Sequence, residues 1–162
     1  MKIMRYILIV VAALTVLASC SKSDKELLSG TWGIQEMKKD GEVAMSLDPK
    51  EQQKIIDKAW AKDGAMMEQM GMDKAALAKS MEEQSKNLAK VTFVFGENGK
   101  VKVSANDGKS KDVFSPYTMN EEKKEITIEE ENKDKLTYTY TISDEQLILK
   151  QKKDELIFKR KS

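Results

Sequence analysis

From Val91 onward the chain alternates apolar and polar residues at period two, which restricts this part to antiparallel strands joined by tight turns. Val91, Phe93 and Phe95 share one face. Asn98-Gly99 follows, a dipeptide that favours a type I′ hairpin because both central residues of that turn take positive φ. Val101 and Val103 alternate with Lys100, Lys102 and Ser104, and Asp107-Gly108 marks a turn before a strand over residues 113–119. Pro116 lacks an N–H and points to an edge or a bulge there. Ile126 and Ile128 alternate with Glu125, Thr127 and Glu129, and Leu136, Tyr138, Tyr140 and Ile142 alternate with threonines. Residues 146–150 and 155–161, joined by the polar turn Lys152-Lys153-Asp154, complete the series. With an early strand over residues 30–37 there are eight. The expected fold is mainly β, an eight-stranded antiparallel up-and-down barrel, because closure removes edges that would template aggregation. Such a barrel is filled by side chains or holds one small ligand. The alternative is an open antiparallel sheet packed on helices.

Residues 48–90 have a different pattern, and the expectation places them as a helical hairpin between the first two strands. Asp48-Pro49 starts a helix, with aspartate as N-cap and proline at the first helical position. Ile56, Ala59, Trp60, Met67 and Met70 follow helical spacing, although Asp63-Gly64 weakens the middle. Gly71 ends this helix and Asp73 caps a second, whose stripe is Leu77, Met81 and Leu88. Met66, Met67, Met70, Met72 and Met81 all lie in this segment. Their flexible thioethers suit either loose core packing or a face that adapts to varied apolar partners.

Charge and composition exclude several functions. The 162 residues carry 28 Lys+Arg against 27 Asp+Glu, so there is no excess of cations for nucleic acid. There is no histidine, which removes the commonest metal ligand and general base, and one cysteine, which excludes a thiolate zinc cluster. Adjacent carboxylates such as Glu82 and Glu83 point to different sides of a helix and form no acid/base pair. No nucleophile elbow, phosphate-binding glycine loop or metal-ligand cluster is present. The expectation is a protein that is not an enzyme and that uses no cofactor or metal.

At the N-terminus, Lys2 and Arg5 precede a 13-residue apolar run from Tyr6 to Ala18. A basic start followed by an apolar run is the layout of a secretory signal, and the run falls short of the roughly 20 residues that span a bilayer. It ends in Leu17-Ala18-Ser19-Cys20, which resembles the lipobox of bacterial lipoproteins. The resemblance implies a signal peptide over residues 1–19, removal just before Cys20, and palmitate-type acyl chains on Cys20 that anchor the protein to a membrane. Removing Lys2 and Arg5 leaves 26 cations against 27 anions. Residues 20–28 then read as a hydrophilic, lipidated tether. Ser21 stands where an aspartate would imply inner-membrane retention, so the resemblance implies the outer membrane, facing the periplasm or the cell surface.

Gly30-Thr31-Trp32 opens the first strand. It resembles the Gly-x-Trp signature of lipocalins and related calycin barrels, and the order of lipobox, tether, "LSGTW" and "TFVFGENGKV" is similar to short lipocalin-like lipoproteins of Gram-negative envelopes. In that family a basic residue at the end of the last strand stacks on the signature tryptophan. Arg160 shares its parity with Leu156 and Phe158, so the resemblance pairs it with Trp32. The helical hairpin departs from the omega-shaped loop usual between the first two strands.

These readings give one domain over residues 29–162 after the tether. The inward-facing set includes Phe93, Phe95, Tyr117, Tyr138 and Tyr140, and a buried phenol needs a hydrogen-bond partner that a polar ligand group can supply. Together with Met67 and Met70 these are the candidate ligand-binding residues. Gly30, Trp32 and Arg160 are the structural signature, and Cys20 is the lipid site. The expected function is a membrane-anchored, non-catalytic binder of a small apolar molecule, in the barrel or under the hairpin. The alternative is an envelope protein–protein interaction module with a packed barrel.

Overall fold

The computed structural model of the chain describes residues 22–130 and 132–161. The apolar leader and Cys20 lie outside the described residues. A short helix α1 (Asp24–Leu28) leads into nine strands: β1 (Gly30–Lys39), β2 (Glu42–Ser46), β3 (Thr92–Phe95), β4 (Lys100–Ser104), β5 (Val113–Asn120), β6 (Glu125–Glu129), β7 (Lys135–Ile142), β8 (Gln146–Gln151) and β9 (Asp154–Arg160). Helices α2 (Pro49–Gln69) and α3 (Lys74–Leu88) lie between β2 and β3.

Strands β3 to β9 follow one another in antiparallel hairpins, and β9 pairs back onto β1. The barrel is therefore closed by eight strands, β1 and β3–β9. The open-sheet alternative is not the fold. Strand β2 is an addition that sequence reasoning did not anticipate, so the helices follow the second strand of the chain, not the first. It shares one edge of β1 with β3: Gly30–Gly33 pair with β3, and Glu36–Lys39 pair with β2. A bulge at Gln35, between Ile34 and Glu36 in the β9 ladder, resets the parity of β1. Trp32 and Ile34 below it and Met37 above it therefore all pack on the barrel core.

The hairpin β3–β4 forms as expected, but its turn is not type I′. Gly99 takes φ 71° while Asn98 stays outside the positive-φ region, and Gly99 N–H donates to Gly96 O. Pro116 sits mid-strand in β5, and its placement follows from its missing donor. Tyr117 N–H donates to Gly99 O on the β4 side, so the nitrogen of Pro116 faces β6. The β5–β6 ladder starts only at Tyr117, leaving Val113 to Pro116 paired with β4 alone.

Helix α2 is capped as its sequence specifies, the Asp48 carboxylate accepting from Lys50 N–H at 2.8 Å with Pro49 at the first position. Asp63-Gly64 does not interrupt it: the Trp60 indole lies across Gly64 and shields that backbone. Gly71 (φ 77°) ends the hairpin's first arm, and the Asp73 carboxylate accepts from Ala76 N–H at 2.7 Å to start α3. The hairpin stands beside the barrel core rather than in it. Leu88 packs against that core, while Ile56 is buried outside it.

Candidate functional site

The barrel has two unlike ends, and the site follows from the difference. At the end where β1 begins, α1 is a plug. The sequence reading placed residues 20–28 in a tether, but Asp24–Leu28 is a helix. Ser23 and Glu26 form a reciprocal capping box that starts it, and Leu28 is buried in the barrel floor. Trp32 Nε1–H donates to Leu28 O at 2.8 Å. The Arg160 guanidinium lies over the Trp32 ring, 4.2 Å from its centroid. It donates to the carbonyls of Leu27, Ser29 and Asp144, so one side chain ties the last strand to the plug.

Two of the three candidate tyrosines are occupied at this end. Tyr140 Oη–H donates to the Asp24 carboxylate at 2.6 Å, and Lys124 Nζ donates to the same group. Lys124 and the Tyr140 hydroxyl hold the Asp24 carboxyl below the usual carboxylate range, while burial and Asp24 push the Tyr140 phenol up. Tyr117 Oη–H donates to Gly96 O at 2.9 Å, and its ring meets Phe95 edge-on at 5.3 Å. These phenols find protein partners, where the sequence offers a polar ligand group as one way to meet the same need. The signal for the plug was in the sequence as Ser23-x-x-Glu26, followed by Leu27 and Leu28.

Tyr138 and Phe93 lie nearer the other end, where β1 finishes, and both are half-buried. Phe93 meets Phe158 edge-on at 5.1 Å. Burial, with Glu130 adding to it, pushes the Tyr138 phenol up. The five aromatic candidates thus divide between the ends: Phe95, Tyr117 and Tyr140 in the sealed half, Phe93 and Tyr138 at the mouth. Met67 is half-buried on α2 and Met70 is 75% exposed at the hairpin tip, so neither joins the aromatic set.

Among the described residues, two concavities open where the barrel wall loses a partner strand, and a third of about 360 Å³ lies outside the wall between α2 and the start of β2. Beside Pro116, where β6 stops pairing, a shallow opening of about 380 Å³ is lined by Val113, Ser115, Glu130 and Asn132. The larger, about 480 Å³, lies where β2 and β3 divide the edge of β1. Its apolar lining is Met37, Met45, Leu88, Val91 and Ala105, and its polar lining is Gln84, Asn87, Lys90 and Asp107. Met37 and Leu88 also pack on the barrel core, so the groove floor is continuous with the barrel interior.

The groove walls are fixed by polar bonds around it. Asn106, in the β4–β5 loop with φ 48°, donates from Nδ2 to Lys90 O at 2.7 Å and to Thr92 Oγ1 at 2.9 Å. Those bonds tie the loop to the exit of α3. Ser85 Oγ–H donates to Ser46 O at 3.3 Å and Gln52 Nε2–H donates to the same carbonyl at 2.9 Å, locking both helices to the end of β2. Asp107 accepts from Ser110 N–H and Oγ–H and from Lys109 N–H, which lowers its pKa to about 2 and keeps an anion on the rim. The sequence points to the barrel or the space under the hairpin but to none of the residues that line this groove, because they come from β1, β2, α3 and the β4–β5 loop. Among the described residues no group of three or more histidine, cysteine or carboxylate side chains is placed to hold a metal.

Among solved structures, the fold resembles that of a DUF4847 family protein from Bacteroides vulgatus, with a TM-score of 0.55 at 11% sequence identity, covering 85% of this chain and 96% of that one. A lipocalin-like protein from Bacteroides uniformis aligns over 83% of this chain and 98% of its own, at 14% identity and a TM-score of 0.48. A protein from Bacteroides eggerthii aligns over 83% and 99%, at 12% identity and a TM-score of 0.46. The first of these likenesses speaks to the fold alone, and the other two scores are too low to carry an argument. The sequence matches no family model and no curated protein.

Proposed function

We propose that this lipocalin-like barrel is a membrane-anchored, non-catalytic binding protein that takes a small apolar ligand in the groove under the helical hairpin. The observation that carries the reading is the groove of about 480 Å³ whose Met37 and Leu88 floor continues into the barrel core. Small-molecule sites fall in this size range and pair an apolar lining with a few placed polar groups. Met37 and Met45 adapt to the shape of an apolar body, and the Gln84 and Asn87 amides with Lys90 offer donors to a polar end. The anchor is Cys20 with its acyl chains, and the compartment is the outer membrane, periplasmic or surface-facing. Both rest on the order of the leader sequence.

Titration with an apolar fluorescent probe tests the groove. Leu88→Glu places a carboxylate on its floor and is expected to weaken probe binding at least tenfold, while far-UV circular dichroism stays that of a β protein. Equal affinity in the variant overturns the groove reading.

Exposure at the hairpin tip favours a second reading, an interaction module for another envelope protein. Met66 is 59% and Met70 75% exposed there, which suits an adaptable contact face. Replacing residues 49–88 by a short Gly/Ser linker separates the two. Loss of probe binding supports the groove, and retained probe binding with loss of a co-purifying partner supports the interaction module.

A further inference from the structure

We infer that the plugged end of the barrel is the face held against the anchoring lipid surface, with the mouth, the groove and the hairpin tip directed away from it. The inference rests on the reading of Cys20 as the lipid-bearing residue and adds which way the molecule stands on its membrane.

Reach sets this orientation. Ser21, Lys22 and Ser23 separate Cys20 from α1. At roughly 3.5 Å per extended residue, four steps bring Asp24 no farther than about 14 Å from Cys20. Part of that length is already committed, because Lys22 Nζ pairs with the Asp144 carboxylate at 2.8 Å in the β7–β8 turn of the plugged end. Strand β1, in contrast, runs 10 residues from the plug to the mouth. At about 3.4 Å per residue and a barrel tilt near 40°, that separates the two ends by roughly 25 Å. A chain anchored at Cys20 brings the plugged end to the lipid and keeps the mouth off it.

The plug cannot lengthen the tether by peeling away without large cost. Leu28 is 1% exposed, and undocking α1 removes it from the core. The same movement strips Trp32 Nε1–H of its acceptor at Leu28 O, and Tyr140 of its partner Asp24. Arg160 loses its acceptors at Leu27 and Ser29.

Charge does not reverse this orientation. On α1, the chain end and the loops of the plugged end, six cations (Lys22, Lys25, Lys123, Lys124, Arg160 and Lys161) face seven anions (Asp24, Glu26, Glu97, Glu121, Glu122, Asp144 and Glu145), so the acyl chains hold this face without help from a basic patch. The hairpin points the other way. Asp48 caps α2 beside the end of β2, and Lys58 pairs with Glu42 at its start, at 2.6 Å. Helix α2 therefore climbs antiparallel to β2, and its last turns, with Met66 and Met70, pass beyond the mouth-side turn at Asp40-Gly41. The apolar tip is thus not a membrane-inserting wedge. The groove exchanges ligand with the aqueous side and does not draw lipid from its own bilayer.

The two tryptophans of the chain mark the two ends, Trp32 in the plugged floor and Trp60 on α2 just past Lys58. The chain beginning at Cys20 is coupled through that thiol to a maleimide phospholipid, in vesicles of phosphatidylethanolamine and phosphatidylglycerol that carry dansyl headgroups. Trp60→Phe is expected to raise the fraction of tryptophan emission transferred to dansyl toward a doubling, the limit for two equal donors of which one transfers nothing. An unchanged or reduced fraction overturns the orientation. If Trp60→Phe loses helical circular dichroism, Met70→Trp gives the converse measurement, since a donor added at the exposed tip must lower the fraction, and a rise overturns the proposal. A long Gly/Ser insert between Ser21 and Lys22 is expected to reduce transfer from Trp32; no reduction overturns the tether argument. Incorporation of labelled palmitate in cells, lost in Cys20→Ala, tests the anchor separately. Its absence removes the premise, whereas its presence with a lowered transfer in Trp60→Phe removes the orientation alone.

Discussion

At the plugged end of the barrel Trp32, Phe95, Leu147 and Phe158 are sealed from water, whereas at the mouth Phe93, Ile128, Tyr138 and Leu156 stay half-exposed on strands of the same barrel. Both groups obey the same alternation and both face inward. What separates them is whether something outside the sheet covers them. Below, α1 supplies Leu28, and its backbone carbonyls accept from Trp32 and Arg160. Above, the wall itself is incomplete, with β6 stopping short beside Pro116 and β2 diverging from β3. Alternation selects the inward side chains, and the plug determines how deeply they are buried.

The largest effect that would break this comparison is expected at Trp32. Trp32→Ala should cost about 3–5 kcal/mol by urea unfolding, as a large-to-small change in a filled core. Phe93→Ala should cost less, because its ring already meets water. A double-mutant cycle with Arg160→Ala should show coupling above about 0.5 kcal/mol, as expected for side chains in contact. Equal costs at Trp32 and Phe93 would erase the distinction between the ends.

A pair of glycines sharpens it next. A Cβ on Gly30 (φ 127°) would lie 2.6 Å from Arg160 Nη1, whereas one on Gly108 (φ 70°), in the mouth-side loop, meets nothing within 4 Å. Gly108→Ala carries only the cost of its backbone conformation, about 1 kcal/mol. Gly30→Ala adds a clash with the closing arginine to a strained backbone and should cost roughly 2 kcal/mol or more. Chemical denaturation of the two variants ranks them, and a reversed order would mean that Arg160 yields freely.

The plug also carries a pH signature. The Asp24 carboxyl sits below its ordinary value in the folded chain, through Lys124 and then Tyr140, so its contribution is complete above the unfolded value. It is lost as pH falls from about 4 toward the lower folded value. Asp24→Asn removes this dependence: the stability difference between wild type and variant should be greatest at neutral pH and shrink below about pH 4. Melting curves across that range check it, and a constant difference would show that the Asp24 charge contributes nothing to the plug.

The smallest effect is expected at the hairpin tip. Met70→Ser, at a side chain 75% exposed, should change stability by no more than about 0.5 kcal/mol. A larger loss would show that the tip is packed in solution, by another copy or by a fold of the hairpin onto the mouth.

Much of this architecture is legible in the residues alone. Period-two alternation from Val91 to Phe158 fixes the seven later barrel strands, since reversing a strand's faces would put every apolar side chain in water. Asp48-Pro49 and Asp73 fix both helix starts because their side chains satisfy backbone donors a few residues away, and the shared parity of Arg160 and Phe158 places that arginine inside. Other features were beyond local pattern. Strand β2 is five residues with a bulge at Ala44, too short and irregular to show a period. The Ser23-x-x-Glu26 box marks a helix start, but only docking on Trp32, Tyr140 and Arg160 gives a single turn of helix enough contacts to persist. The roles of the tyrosines divided on the same ground: a sequence shows that a phenol faces inward, while the fold brings Gly96 O and Asp24, distant in the chain, to accept from two of them. The groove depends on tertiary structure most of all. Met37, Met45, Leu88 and Ala105 are unremarkable apart, and they form one wall only because β1 changes partners midway and Asn106 pins a loop across the gap.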